Sequence, residues 1–190
     1  ARVPALVHFS VEAWRRDRAK CLGLVFPALG EAPWIVRSSC GREDGVTGSM
    51  AGAFLSVQDV SSKDLESAIE RVVAAYGEAA GADEVLIQPM LKNVVRSGVA
   101  FSHDPNTCSP YRVINWSEGG DTASVTGGLG GRIWQGAALS PVPPPGALHG
   151  VVELLEELLA LFGGVPVDCE FAVTREGEGE VLWLLQARPL

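Results

Sequence analysis

Val167-Asp168-Cys169-Glu170-Phe171-Ala172-Val173-Thr174 and Val181-Leu182-Trp183-Leu184-Leu185-Gln186-Ala187-Arg188 flank the polar run Arg175-Glu176-Gly177-Glu178-Gly179-Glu180. Two apolar-rich stretches around a glycine-bearing turn read as an antiparallel hairpin. Successive side chains of a strand point to opposite faces. Asp168 and Glu170 therefore share a face, as do Gln186 and Arg188, while Val167, Cys169, Phe171, Val181, Trp183 and Leu185 take the other. With the turn centred on Glu178, Glu170 stands opposite Gln186 and Asp168 opposite Arg188.

That register gathers two carboxylates, an amide oxygen and a guanidinium on one surface. Hard oxygen donors beside a cation suit Mg²⁺ bridging nucleotide phosphates, because magnesium keeps several waters and needs few protein ligands. The same four residues also make an ordinary cross-strand Asp168–Arg188 pair with Glu170 and Gln186 solvated. Spacing alone favours the ordinary pair and leaves the metal reading open.

Working outward, Ser10 can cap a helix over about Val11 to Val25 that turns Trp14, Cys21, Leu22 and Val25 inward and Arg15, Arg16, Arg18 and Lys20 to water. Trp34 to Ser38 reads as a strand, Ser39 to Gly52 as a glycine-bearing loop and Ala53 to Val57 as a second strand. Leu65, Ala68, Ile69, Val72, Val73 and Tyr76 recur at helical spacing from Ser61 or Ser62 onward. Glu84 to Leu91, Val94 to Ser102 and Tyr111 to Trp116 predict strands in an antiparallel meander, followed by a Gly-rich region from Gly119 to Gly136. After Pro143-Pro144-Pro145, the apolar stripe Leu148, Val151, Val152, Leu155, Leu158, Leu159 and Phe162 predicts another helix. Strand-rich segments with a few packed helices, and without regular β-α alternation, indicate α+β with antiparallel sheets.

The 190 residues are 47% hydrophobic and 20% charged, enough to bury a sizeable core and too apolar for a disordered chain. A formal charge of −8 disfavours nucleic acid and anionic lipid as partners. Cys21, Cys40, Cys108 and Cys169 are scattered without metal-ligand spacing, which fits a reducing cytoplasm. No apolar run reaches the roughly 20 residues of a membrane span, so the sequence reads as that of a soluble cytoplasmic protein.

The glycines of the Ser39–Gly52 stretch would let backbone N–H groups approach a phosphate. The stretch lacks a G-K-[ST] ending and joins two strands, so it is not a P-loop, and taken alone it reads as a surface loop. Arg37, closing the strand before it, is placed either to meet an incoming anion or to serve as a plain surface charge.

Together these residues resemble a known family. Ile35-Val36-Arg37-Ser38-Ser39, Glu43-Asp44 and Ser49-Met50-Ala51-Gly52 look like the V-R-S-S, E-D and S-F-A-G signature of the nucleotide-binding domain of phosphoenolpyruvate synthase and pyruvate phosphate dikinase. Val85-Leu86-Ile87-Gln88-Pro89-Met90 is similar to the family's V-x-V-Q-x-M strand, and Ser97-Gly98-Val99-Ala100-Phe101-Ser102-His103-Asp104-Pro105 to its S-G-V-x-F-S-x-D-P. Asp168-Cys169-Glu170 and Leu184-Leu185-Gln186-Ala187-Arg188-Pro189 resemble its closing D-x-E and L-x-Q-A-R-P. The blocks run in order over most of Trp34 to Leu190.

The resemblance implies an ATP-grasp nucleotide-binding domain over residues 1–190, two α+β lobes clamping ATP with Mg²⁺, as part of a longer multidomain protein. It implies that Arg37 contacts the phosphates, that the Gly41–Gly52 loop with Gly48, Ser49 and Gly52 closes over them, and that Ser56 lies at the loop's end. Gln88 and Met90 match the strand lining the adenine. Glu170 and Gln186 match the magnesium ligands, and Asp168 and Arg188 their charged neighbours, with Arg37 and Arg188 assisting transfer. The implied activity is that of a kinase-like phosphotransferase, passing a phosphoryl group to a histidine of a swivelling domain or to a small-molecule acceptor. A nucleotide-sensing module without turnover is the alternative, and an acyl-phosphate-forming ligase a third.

Several features depart from the family. The N-terminal G-G-K segment with its phosphate-reaching lysine is not seen, and Lys20 and Lys92 are substitutes by type alone. The family's G-L-G-E aligns with Glu118-Gly119-Gly120-Asp121 or with Gly128-Leu129-Gly130-Gly131. His8, His103 and His149 match no phosphohistidine motif.

Overall fold

The computed structural model describes residues 1–39, 55–77, 83–119 and 131–190. The chain divides into one unit over Pro4–Met90 and a second made of Ala1–Val3 and Leu91–Leu190, each with its own apolar core. Both are built from an antiparallel sheet with helices against it, so the fold is α+β as the sequence indicates.

In the Pro4–Met90 unit, β1 (Val7–Ser10), β2 (Trp34–Ser39), β3 (Ser56–Val60) and β4 (Glu84–Pro89) form a sheet in the order β1-β4-β2-β3. Trp34, Val36, Val85 and Ile87 alternate onto the face that packs on the helices. The single helix expected from Val11 to Val25 is two, α1 (Val11–Arg16) and α2 (Arg18–Leu29). Ser10 caps the first, accepting from Ala13 N at 3.1 Å. Asp17 breaks the run because its carboxylate accepts from Lys20 N at 3.0 Å, a competing N-cap that starts the second helix. Trp14, Cys21 and Val25 are buried as expected. Trp14 Nε1 donates to Glu70 of α3 (Leu65–Ala75) at 2.9 Å, tying α1 to the periodic helix. The second strand, expected at Ala53–Val57, lies at Ser56–Val60, with Ala53 and Phe54 outside the described residues.

In the second unit, β5 (Val94–Phe101), β6 (Tyr111–Glu118), β7 (Arg132–Ala137), β8 (Val167–Glu176) and β9 (Gly179–Pro189) form a sheet in the order β7-β6-β5-β8-β9. After the proline run a short 3₁₀ turn, Gly146–Leu148, leads into α4 (His149–Leu161). Val151, Leu154, Leu155 and Leu158 of α4 bury themselves against Ala100, Ile114, Cys169, Phe171 and Val173 of the sheet. Each large side chain so buried contributes roughly 1.5–3 kcal/mol.

The expected meander through Glu84–Leu91 and Val94–Ser102 is corrected. β4 pairs with β1 and β2, whereas β5 pairs with β6 and β8. The link between β4 and β5 includes Asn93 at φ 55, a conformation a tight hairpin would also use, but the strands it joins belong to different sheets. β7 overlaps the end of the Gly-rich region Gly119–Gly136, for which no strand was predicted. It is an edge strand with Ile133 70% exposed, so it lacks the apolar alternation that marks a half-buried strand. At the opposite edge Arg2 bridges to β9, donating to Leu182 O and accepting from Leu184 N, both at 2.8 Å, with its guanidinium over the Trp183 ring. No helix among the described residues is long and apolar enough to cross a membrane.

Candidate functional site

The terminal ribbon pairs Asp168 with Arg188 and Glu170 with Gln186. This is the expected register, reached by another route. The ribbon turns on Gly177-Glu178, with Gly177 at φ 62 and Glu176 facing Gly179, so the turn centre lies half a residue earlier than Glu178. From Glu176 to Phe171 the pairing follows that turn, and Phe171 faces Leu184. Leu185 is then an extra residue, a β-bulge, and beyond it Gln186 faces Glu170. Without the bulge, the turn would place Leu185 opposite Glu170 and Ala187 opposite Asp168.

The bulge also corrects the inward face of β9. Leu182, Leu184 and Ala187 pack on the core, where Val181, Trp183 and Leu185 were expected. Trp183 lies on the other face, its Nε1 donating to Thr174 Oγ1 at 2.8 Å.

Arg188 Nε donates to both Asp168 carboxylate oxygens, at 2.9 and 3.0 Å. Asp168 is buried and the Arg188 side chain 38% exposed, so the pair is half sunk into the sheet and not a solvated surface bridge. Between the carboxylates, Cys169 faces the core. Burial, with the charges of Asp168 and Glu170 in second place, pushes its thiol up to about 12. Glu170 and Gln186 are half-buried and stand opposite one another, placing a carboxylate and a side-chain amide on one face. Among the described residues no three His, Cys, Asp or Glu side chains gather in metal-binding geometry. Two oxygen donors leave most of an octahedral shell to phosphate oxygens and water, a donor set that fits Mg²⁺.

Motif residues upstream hold this ribbon in place. Ser102 Oγ accepts from Val167 N at 2.8 Å, fixing the start of β8 one residue before Asp168. Arg112 is buried in β6, bonds Glu156 of α4 through Nε at 2.9 Å and donates to the Ser102 carbonyl. Its signal in the sequence was a single arginine in an apolar strand. Asp104 accepts from Asn106 N and Thr107 N at 2.9 and 3.0 Å, bonds that lower its carboxyl below the usual range and close the loop after β5.

In the Pro4–Met90 unit, Arg37 stands directly opposite Ser56 on β3 and Leu86 on β4, and Ile35 opposite Gln88. Alternation places Arg37, Ser56 and Gln88 on the sheet face away from the helices. Met90 lies just past β4, its N–H donating to Pro33 O at 3.0 Å. Tyr76 Oη accepts from Ser39 N and donates to Glu84 O, both at 2.5 Å, fixing the chain where the glycine stretch begins. Gly48, Ser49, Gly52, Asp121 and the Gly128–Gly130 segment lie outside the described residues. Lys20 is exposed in the first turn of α2, and Lys92 is exposed in the link before β5. His8 meets Glu84 at 3.3 Å, His103 meets Ser102 Oγ at 3.1 Å and His149 opens α4.

No family model matches the chain, and no curated protein matches it. Among solved structures it is similar to D-alanine-D-alanine ligase from Helicobacter pylori, at 18% identity and TM-score 0.48 over 99% of this chain and 46% of that one. It is similar to L-amino acid ligase from Bacillus licheniformis, at 13% identity and TM-score 0.49 over 98% of this chain and 38% of that one. It is also similar to D-alanyl-alanine synthetase A from Vibrio cholerae, at 13% identity and TM-score 0.47 over 98% and 51%. The chain thus spans about half or less of the length of these proteins.

Proposed function

We propose that the chain is an ATP-grasp nucleotide-binding domain, related to that of phosphoenolpyruvate synthase and pyruvate phosphate dikinase, that binds Mg²⁺-ATP for phosphoryl transfer. The observation that carries the reading is the Glu170–Gln186 pair, brought together by a bulge and flanked by the Asp168–Arg188 bridge. The four residues coincide with the D-x-E and Q-A-R-P blocks.

In this reading Glu170 and Gln186 hold the metal, which when bound neutralises phosphate charge and orients the terminal phosphoryl group. Asp168 fixes the Arg188 guanidinium through Nε, so that its plane is set before a phosphate arrives. On the Pro4–Met90 unit, Arg37 and Ser56 are proposed phosphate contacts and Gln88 and Met90 adenine contacts, with Gly48, Ser49 and Gly52 carried by the motif alone. Phosphoryl transfer is mostly positioning and charge neutralisation, so no protein nucleophile is required. Neither does the reading require a phosphohistidine domain.

Calorimetric titration with Mg²⁺-ATP tests it. The chain binds, binding requires Mg²⁺, and Glu170→Ala weakens it by about 10–100-fold. Equal, millimolar-or-weaker binding by both proteins overturns the reading. Binding without ADP release, with candidate acceptors present, assigns the domain to sensing instead.

A further inference from the structure

Arg112 shares the helix face of β6 with Ile114 and Trp116 of the core, and its side chain is only 8% exposed. Taking a charge out of water is costly, and a buried ion pair can often be replaced by apolar side chains without loss of stability. Stability alone is thus a weak account of an arginine at this position. Its contacts lead toward the candidate site. Nε and one Nη donate to Glu156 Oε1 of α4, at 2.9 and 2.6 Å, while the other Nη donates to the Ser102 carbonyl.

Ser102 is fully buried just past β5, and every polar group it has is committed. Its N–H donates to Val167 O at 2.9 Å, and its Oγ accepts from Val167 N at 2.8 Å and meets His103 Nδ1 at 3.1 Å. Its carbonyl takes the Arg112 donor. Both backbone groups of Val167 are therefore gripped by one residue, which Arg112 in turn holds against α4. The next residue along β8 is Asp168, whose two carboxylate oxygens hold Arg188 Nε. Asp168 alternates with core-facing Val167 and Cys169, so it and Arg188 lie on the sheet face away from Arg112. Arg112 touches neither of them. It acts on the backbone from which Asp168 projects.

We propose that Arg112 is a positioning residue for phosphate binding: through Ser102 and Val167 it sets where Asp168 stands, and so the plane in which Arg188 presents its guanidinium. The inference rests on the nucleotide reading of the terminal ribbon. A planar guanidinium recognises phosphate through paired, directional N–H bonds, so a small rotation of Arg188 is felt in affinity. Lysine at position 112 would not substitute, because a single ammonium cannot span Glu156 and the Ser102 carbonyl with the fork of donors that arginine offers. The fold survives the loss of Arg112, since Glu156 is 53% exposed and its carboxylate is left to water.

The test follows the Arg188 Nε–H resonance of the ¹⁵N-labelled chain, identified by its loss in Arg188→Met, together with Mg²⁺-ATP affinity by calorimetry. Arg112→Met shifts that resonance and speeds its exchange with water before any nucleotide is added. It also weakens Mg²⁺-ATP binding by about tenfold, as removal of a group that orients a ligand contact does, under conditions where urea unfolding shows the variant folded. Ser102→Ala, which takes away only the Oγ that accepts from Val167 N, changes both readouts in the same direction and decides the matter if Arg112→Met does not fold. In an Arg188→Met background, Arg112→Met costs no further affinity, because the group it positions is gone. An unmoved Arg188 resonance, or an affinity loss that persists in the Arg188→Met background, overturns the positioning role and leaves the nucleotide reading standing. Absence of Mg²⁺-ATP binding by the unsubstituted chain overturns the nucleotide reading and the positioning role with it.

Discussion

Glu170 faces Gln186 across the β8–β9 ribbon, yet Phe171, the next residue, faces Leu184, and Leu185 is left over between them. This one-residue slip lets the carboxylate and the amide share a face while Leu184 and Ala187 both reach the core.

Deleting one of the two adjacent leucines, Leu184 or Leu185, removes the bulge and leaves a continuous ladder in which Gln186 still faces Glu170. The shortened protein is expected to fold and to keep Mg²⁺-dependent nucleotide binding within about tenfold. Deleting Ala187 instead moves Arg188 to the core face, and both the Asp168 bridge and nucleotide binding are expected to be lost. Titration of the two deletion proteins side by side separates the outcomes.

Removing the guanidinium from the Asp168 bridge leaves a buried carboxylate without its Nε donor. Arg188→Met is expected to lower stability by about 2–3 kcal/mol, measured by urea unfolding. Adding Asp168→Asn to it is expected to restore part of the loss, because an uncharged amide tolerates the site better than an unpaired carboxylate. Equal losses in single and double variants would show that the bridge does not carry the energy.

Gly98 sits opposite Trp116, and a Cβ there would lie inside contact distance of the Asn115 carbonyl oxygen and 2.9 Å from Trp116 Cα. Backbone cannot step aside as a flexible side chain can. Gly98→Ala is therefore expected to cost about 1–3 kcal/mol or more by overpacking, read as a fall in the urea midpoint. Gly150→Ala, where the nearest contact is Leu182 Cδ2 at 3.5 Å, is the tolerated control.

Burial pushes the Cys169 thiol of the folded chain up to about 12 from the ordinary 9.0. Between those values the unfolded chain has released this proton and the folded chain has not, so rising pH favours unfolding. The contribution of this thiol falls by up to about 1.4 kcal/mol per pH unit above 9. Cys169→Ala is less stable at neutral pH through lost packing, but its stability is expected to decline less steeply above pH 9. Iodoacetamide on the native chain should label exposed Cys108 and spare buried Cys169 and Cys21.

Residues with strong local signals were legible in the sequence. The inward faces of α3 and α4 and the Ser10 cap follow from periodicity and an oxygen-bearing cap residue, whereas the Asp168–Arg188 pairing matches the expected register only because the Leu185 bulge offsets a turn centred half a residue earlier. What escaped has a physical reason in each case. Asp17 ends one helix by starting another, with no proline or glycine to announce it. β7 is an edge strand whose solvent side tolerates isoleucine beside glycine. The partners of β4 and β5 depend on long-range pairing that Lys92 and Asn93 do not encode.

A spare residue beside the proposed binding face acts as a slip joint. A one-residue insertion or loss near Gly177-Glu178 can be absorbed at the Leu184-Leu185 doublet, where two identical neighbours make it immaterial which one is squeezed out. The tip of this ribbon is therefore free to drift in length and to acquire new contacts, while the four groups beyond the doublet stay where they are.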